Sequence, residues 1–88
     1  MNKVWYLYIV RCSDGTLYTG ITVDVIRRIC EHNHGKKGAK YTKSRRPVKL
    51  VYKEEHANRS DASKAEYKIK SFSRSKKLKL IRENSNGK

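Results

Sequence analysis

Acidic residues are scarce in this chain. Eight Asp and Glu stand against 22 Lys and Arg in 88 residues, a formal net charge of +14. Cysteine is scarce too. Cys12 and Cys30 are too few for a disulfide scaffold, and no CxxC or paired Cys/His spacing points to zinc. No apolar run approaches the ~18 residues of a membrane span. The first residues, Met1-Asn2-Lys3, carry no apolar signal region or small-residue cleavage site, so the expectation is a cytoplasmic protein with reduced thiols and no membrane partner. Apolar residues make up 36%, enough for one small core. The length leaves room for one domain, expected over residues 1–83 with a disordered tail over 84–88.

What is abundant is positive charge, and it is unevenly spread. Residues 36–53 hold Lys36, Lys37, Lys40, Lys43, Arg45, Arg46, Lys49 and Lys53 with no acid among them. Residues 64–82 hold eight more bases around one acid, Glu66. The first 35 residues are nearly balanced. Basic segments of this kind bind polyanions, nucleic acid first. A lone acid in such a stretch needs a reason: an ion pair with Lys70 at i+4, or a metal ligand at a phosphate site.

Residues 4–12 are β-branched and aromatic and read as a strand; Ser13-Asp14-Gly15-Thr16 is turn chemistry, and Leu17–Ile21 returns as a second strand. Thr22 or Asp24 can cap a helix to about Asn33 with Val25, Ile26, Ile29 and Cys30 as its apolar face. Gly35 suits its end. Residues 35–46 read as a basic loop. Pro47–Lys53 reads as a third strand, alternating Val48, Leu50 and Tyr52 against Lys49, Val51 and Lys53. Ser60 can cap a second helix carrying Ala62, Ala65 and Ile69, and Ser73 a last helix carrying Leu78, Leu80 and Ile81. The order β-β-α-β-α-α predicts an α+β domain: a three-stranded antiparallel sheet flanked by helices.

Tyr8 and Tyr18 fall one on each strand of the hairpin, and Tyr18 precedes Gly20 by two residues. Arg28 and His32 are four apart and so share a helix face. Tyr6 is expected to pack or face solvent on the side opposite Tyr8. Gly20 reads as a backbone need, because a side chain there would crowd the site or the bend. The tyrosines could equally be cross-strand core aromatics, and His32 a structural histidine.

With Tyr6-Leu7-Tyr8, Tyr18-Thr19-Gly20, Arg28, His32 and the distal Glu66 in this order, the sequence resembles the GIY-YIG nuclease family over Val4 to about Ile81. It is most similar to the short, stand-alone bacterial members of uncharacterised role. Tyr6 stands where the first triplet has its glycine, Leu7 and Thr19 where the triplets have isoleucine. None of these changes removes a reactive group. The resemblance implies an endonuclease that hydrolyses DNA phosphodiester bonds, with a role in DNA repair or recombination. It implies that Glu66 holds Mg²⁺ or Mn²⁺, with no small-molecule cofactor. Arg28 would clamp the phosphate, Tyr8 would serve as base with its phenol favoured as tyrosinate by nearby cations, Tyr18 would position water or phosphate, and His32 would relay a proton. Lys36, Lys37, Lys40, Lys43, Arg45 and Arg46 would meet DNA, or RNA. The alternative is a non-catalytic nucleic-acid-binding module on the same fold.

Overall fold

The structure is a computed structural model that describes residues 4–35 and 40–86. Three strands, β1 (Trp5–Arg11), β2 (Leu17–Thr22) and β3 (Lys49–His56), form one antiparallel sheet in the order β2-β1-β3. The helices are α1 (Val25–His34), α2 (Lys40–Lys43), α3 (Arg59–Lys70) and α4 (Arg74–Asn86). The α+β class and the three-stranded antiparallel sheet are those the sequence predicts. Two details differ: a four-residue helix, α2, interrupts the predicted loop, and α4 runs to Asn86, into the segment read as a tail. Lys36, Lys37, Gly87 and Lys88 lie outside the described residues.

The hairpin turns where Gly15 takes φ +86°, a conformation that costs glycine nothing. The Asp14 carboxylate accepts from the Thr16 amide at 3.1 Å and the Thr16 hydroxyl at 2.6 Å, which locks the turn. As the central strand, β1 is buried on both sides: Leu7, Tyr8, Ile9 and Val10 are all essentially inaccessible. That is why it reads as a continuous apolar run rather than an alternation. Leu7 and Ile9 pack with Tyr52 and Ile69 beneath α3 and α4; Tyr8, Val10, Cys12 and Val48 pack with Tyr18, Ile29 and Leu50 on the other side.

The third strand is a correction. Register slips between Ile9 and Val10, so that Ile9 faces Tyr52 but Val10 faces Leu50. This bulge inserts Val51 and sends Leu50 and Tyr52 to opposite layers, breaking the simple alternation. The first helix is another. Asp24 is its N-cap, accepting from the Arg27 amide at 3.0 Å. Val25, Ile29 and His32 point inward, but Ile26 is 84% exposed and Cys30 is exposed. Positions 25, 29 and 32 follow the i, i+4, i+7 stripe, and the inward stripe is partly polar because it faces the site. Asn58, not Ser60, caps α3, its side-chain oxygen accepting from the Asp61 amide at 2.8 Å. Ser73 does cap α4, accepting from the Lys76 amide at 3.2 Å.

Candidate active site

Antiparallel register sets Tyr8 directly opposite Gly20 and Val10 opposite Tyr18, which puts both tyrosines on the α1 side of the sheet. The Tyr8 ring lies across Gly20. A Cβ at position 20 would sit 2.6 Å from the Tyr8 hydroxyl and 2.8 Å from Cζ, so only glycine leaves the phenol its place.

The Tyr8 hydroxyl is 2.8 Å from His32 Nε2, and His32 Nδ1 is 2.8 Å from the Thr42 hydroxyl. All three side chains are buried. Two arrangements of protons satisfy both bonds. With the proton on Nδ1, the ring donates to Thr42 and Nε2 accepts from Tyr8; the other tautomer reverses both. Tyr18 meets the His32 ring edge-on at 5.4 Å between centroids and stacks on Tyr41 at 5.8 Å. The Arg45 guanidinium lies 4.0 Å over the outer face of Tyr41.

Arg28 donates to Glu31 one turn on at 2.9 Å, and its guanidinium lies near enough to the Tyr8 hydroxyl to lower the phenol's pKa. Its side chain is 26% exposed, so the guanidinium is held yet reachable. Glu66 comes from α3, in the layer beyond the sheet. Its carboxylate pairs with Lys70 at 3.1 Å, the i+4 bond the sequence allows, while its charge also acts on Tyr8. The structure thus joins Tyr8, Tyr18 and His32 directly and sets Arg28 beside them, while Glu66, in the opposite layer, acts on Tyr8 only weakly through its charge.

The electrostatics correct one expectation. Burial pushes the Tyr8 phenol up to about 12, with the nearby Tyr18 and Glu66 adding to it; the Arg28 guanidinium opposes this without overcoming it. Tyr8 is therefore a neutral phenol at rest, not a tyrosinate. Burial likewise pushes His32 down to about 4, with Arg28 and Arg46 acting in the same direction. His32 is a neutral imidazole at pH 7.

That neutrality has a cost in acid. Folded His32 stays unprotonated below its ordinary value of 6.5, while the unfolded chain takes up the proton. Its contribution to stability is whole above pH 6.5 and is lost as pH falls from 6.5 towards 4. Over that window the loss is on the order of 3 kcal/mol, at ~1.4 kcal/mol for each pH unit. Urea unfolding at pH 7 and pH 4.5 should show a steeper fall for the wild type than for His32→Gln, whose amide does not titrate.

The family model for the GIY-YIG catalytic domain matches residues 4–79. The chain belongs to the GIY-YIG family. It is 57% identical over 86 residues to UPF0213 protein DP2720 of Desulfotalea psychrophila, covering 98% of this chain and 78% of that one. It is 62% identical over 78 residues to UPF0213 protein SSP2268 of Staphylococcus saprophyticus, covering 89% and 94%. Two solution NMR structures share the fold. The UPF0213 protein BH0048 of Bacillus halodurans has a TM-score of 0.58 at 44% identity, over 90% of this chain and 83% of that one. Protein EF2693 of E. faecalis has a TM-score of 0.65 at 37% identity, over 97% and 92%.

Around the GIY-YIG constellation, the basic segment divides in two. Lys43 is exposed, and Lys40 opens α2. Arg45 and Arg46 are engaged within the protein instead. Arg45 pairs with Asp14 at 3.0 Å and donates to the Tyr41 carbonyl at 2.8 Å. Arg46 donates to the carbonyls of His32, Glu31 and Gly35, satisfying the open end of α1. Asn33 bonds Val48 in both directions, at 2.6 and 3.0 Å, and ties α1 to the start of β3. Sequence reasoning missed Thr42, Tyr41, Glu31 and Asn33. Only Tyr41, a lone aromatic in a basic run, gave a signal. Tyr6 also needs correction: it faces the same side as Tyr8, since strand side chains repeat every two residues. Lys53, directly opposite Tyr8, lies over the Tyr6 ring at 5.6 Å.

Proposed function

We propose that this protein is a metal-dependent endonuclease that hydrolyses DNA phosphodiester bonds, with a place in repair or recombination. The observation that carries the reading is the chain from Tyr8 through His32 to Thr42, with the Arg28 charge acting on the same phenol. A core tyrosine needs one partner for its hydroxyl. Here a neutral imidazole and a guanidinium both converge on it.

Burial raises the Tyr8 phenol and lowers the His32 imidazole, so at rest the proton stays on Tyr8. Burial favours the neutral phenol at rest, which supports a Tyr8 that keeps its proton until substrate is bound. The phenol then takes the proton of the attacking water as it releases its own to His32 Nε2, with Nδ1 anchored on Thr42. Arg28 holds the phosphate oxygens with its planar fork as charge builds on them. Tyr18, wedged between His32 and Tyr41, keeps the imidazole in line.

Among the described residues no cluster of three or more His, Cys, Asp or Glu exists to cage a metal. A single half-buried carboxylate, Glu66, fits Mg²⁺ or Mn²⁺, which keep several waters and take substrate phosphate oxygens as ligands. A metal held there would stabilise charge on the phosphate and lower the pKa of a bound water.

Incubation of supercoiled and branched DNA with Mg²⁺ or Mn²⁺ should yield nicked product, and EDTA should abolish it. Tyr8→Phe, which removes one hydroxyl, should slow cleavage by about 10²–10⁴-fold. Cleavage by Tyr8→Phe at the wild-type rate would sink the mechanism. Binding with no cleavage of any DNA form would establish a binding module instead. DNA affinity should fall with salt with a log–log slope steeper than about −3, from ~4 or more phosphates neutralised. Filter binding across a salt series measures it, and a flat response would exclude nucleic acid as the partner.

A further inference from the structure

Position 6 is one of the places where this chain departs from its family pattern, and the structure gives the added side chain surroundings of its own. Tyr6 lies one step along β1 from Tyr8 on the same face, ~7 Å away at ~3.4 Å per residue. It borders an open hollow with Val23, Asp24 and Arg27, which continues past Ile26 and Lys53. Two features of this hollow suit it to a ligand. Ile26 is 84% exposed, a large apolar side chain with no protein cover. Lys53 is exposed and sits over the Tyr6 ring. An aromatic face, an aliphatic wall and a cation are what a nucleotide requires: stacking for its base and a counter-charge for its phosphate.

Charge orients the occupant. Lys53 is opposite Tyr8, on the side of the catalytic phenol, whereas Glu55 is opposite Tyr6 itself. The Asp24 carboxylate at the rim is engaged in capping α1. A phosphate is therefore drawn to Lys53 and repelled from Glu55; pairing with it on the Tyr8 side takes the ammonium off the Tyr6 ring and frees that face for the base.

We infer that Tyr6, Ile26 and Lys53 form a subsite for the nucleotide that flanks the cut phosphate, its base stacked on Tyr6 against Ile26 and its own phosphate paired with Lys53. The subsite rests on the proposed nuclease reading. It adds that this protein grips an unpaired base beside the scissile bond, and so favours frayed, branched or single-stranded DNA over uniform duplex.

Binding alone tests it, so turnover is not required. The probes are a fluorescent oligodeoxythymidylate and an abasic oligomer of the same length and charge, both measured by anisotropy. The wild type should bind the base-bearing strand about 10-fold more tightly, since each stacked base contributes roughly that much. Tyr6→Ala should lose this preference and keep its affinity for the abasic strand; Tyr6→Phe should retain both. Tyr6→Leu, which keeps apolar volume, should match Tyr6→Ala and so excludes unfolding as the cause. Lys53→Met should weaken both strands alike and reduce the salt slope by about 1. Retention of the base preference by Tyr6→Ala and Tyr6→Leu overturns the subsite. If DNA is still cut in that case, the nuclease reading stands without it. A wild type that binds both strands equally, or neither, overturns the subsite as well; the nuclease reading falls only if supercoiled and branched DNA also go uncut.

Discussion

Replacing Arg28 with alanine, or Glu66 with alanine, should lower DNA cleavage by about 10²–10⁴-fold while the protein remains folded. The two halves of that expectation have separate grounds. Arg28 and Glu31 are both about a quarter exposed, and Arg27 stands 3.8 Å from the same Glu31 carboxylate, so the acid keeps a neighbour when Arg28 is removed. Glu66 and Lys70 form a single i,i+4 helix pair with Lys70 about half exposed, worth roughly 0.3–0.5 kcal/mol. Neither loss unfolds a domain. The rate effect is large because each group acts on charge that exists only as the phosphate reacts. Arg28→Lys should recover little, since an ammonium keeps the charge but not the two-pronged fork. Single-turnover cleavage beside a thermal melt separates rate from fold. If Arg28→Ala and Glu66→Ala both cut at the wild-type rate, the site lies elsewhere.

The hairpin is legible in the sequence because it is a local event. Gly15 supplies the positive φ, and the turn length sets the register that carries Tyr8 and Tyr18 to one face. The third strand is harder to read, because its bulge depends on contacts with β1, forty residues earlier. Reading the first helix by apolar residues alone selects Ile26 and Cys30, which face solvent, and passes over Arg28 at the site's edge. A functional face is where hydrophobic patterning gives way, since the groups that do chemistry must point inward with the core.

The basic segment shows the same limit in another form. Lysine and arginine look alike in a charge count, but their placement differs. Arg46 spends its donors on three carbonyls at the end of α1, and Arg45 is divided between Asp14 and Tyr41. These arginines hold in place the loop that carries Thr42 to His32. Lys43, by contrast, is exposed. Thr42 itself could not be read from sequence: a threonine between lysines has no pattern until the fold sets it against a buried imidazole.

Gly20→Ala should damage both fold and catalysis, and through a single contact. The added methyl would lie 2.6 Å from the Tyr8 hydroxyl, 2.8 Å from Cζ and 3.1 Å from Cε2. The obstacle is a ring, not the loose end of a flexible chain, and Tyr8 is 1% exposed with no free volume to swing into. Either β2 moves away from β1 or the phenol tilts off His32. Overpacking of this kind costs about 1–3 kcal/mol. A tilted phenol loses the 2.8 Å bond on which the proposed proton transfer depends, so cleavage should fall about as far as in Tyr8→Phe. A double-mutant cycle isolates the contact. In a Tyr8→Leu background the ring is gone, and Gly20→Ala should then cost less than about 0.5 kcal/mol, leaving only the ordinary surface-scale effect of one methyl. Urea denaturation of the four proteins measures the coupling. Equal costs of Gly20→Ala with and without the Tyr8 ring would mean that the glycine serves the strand alone and that the phenol's position does not depend on it.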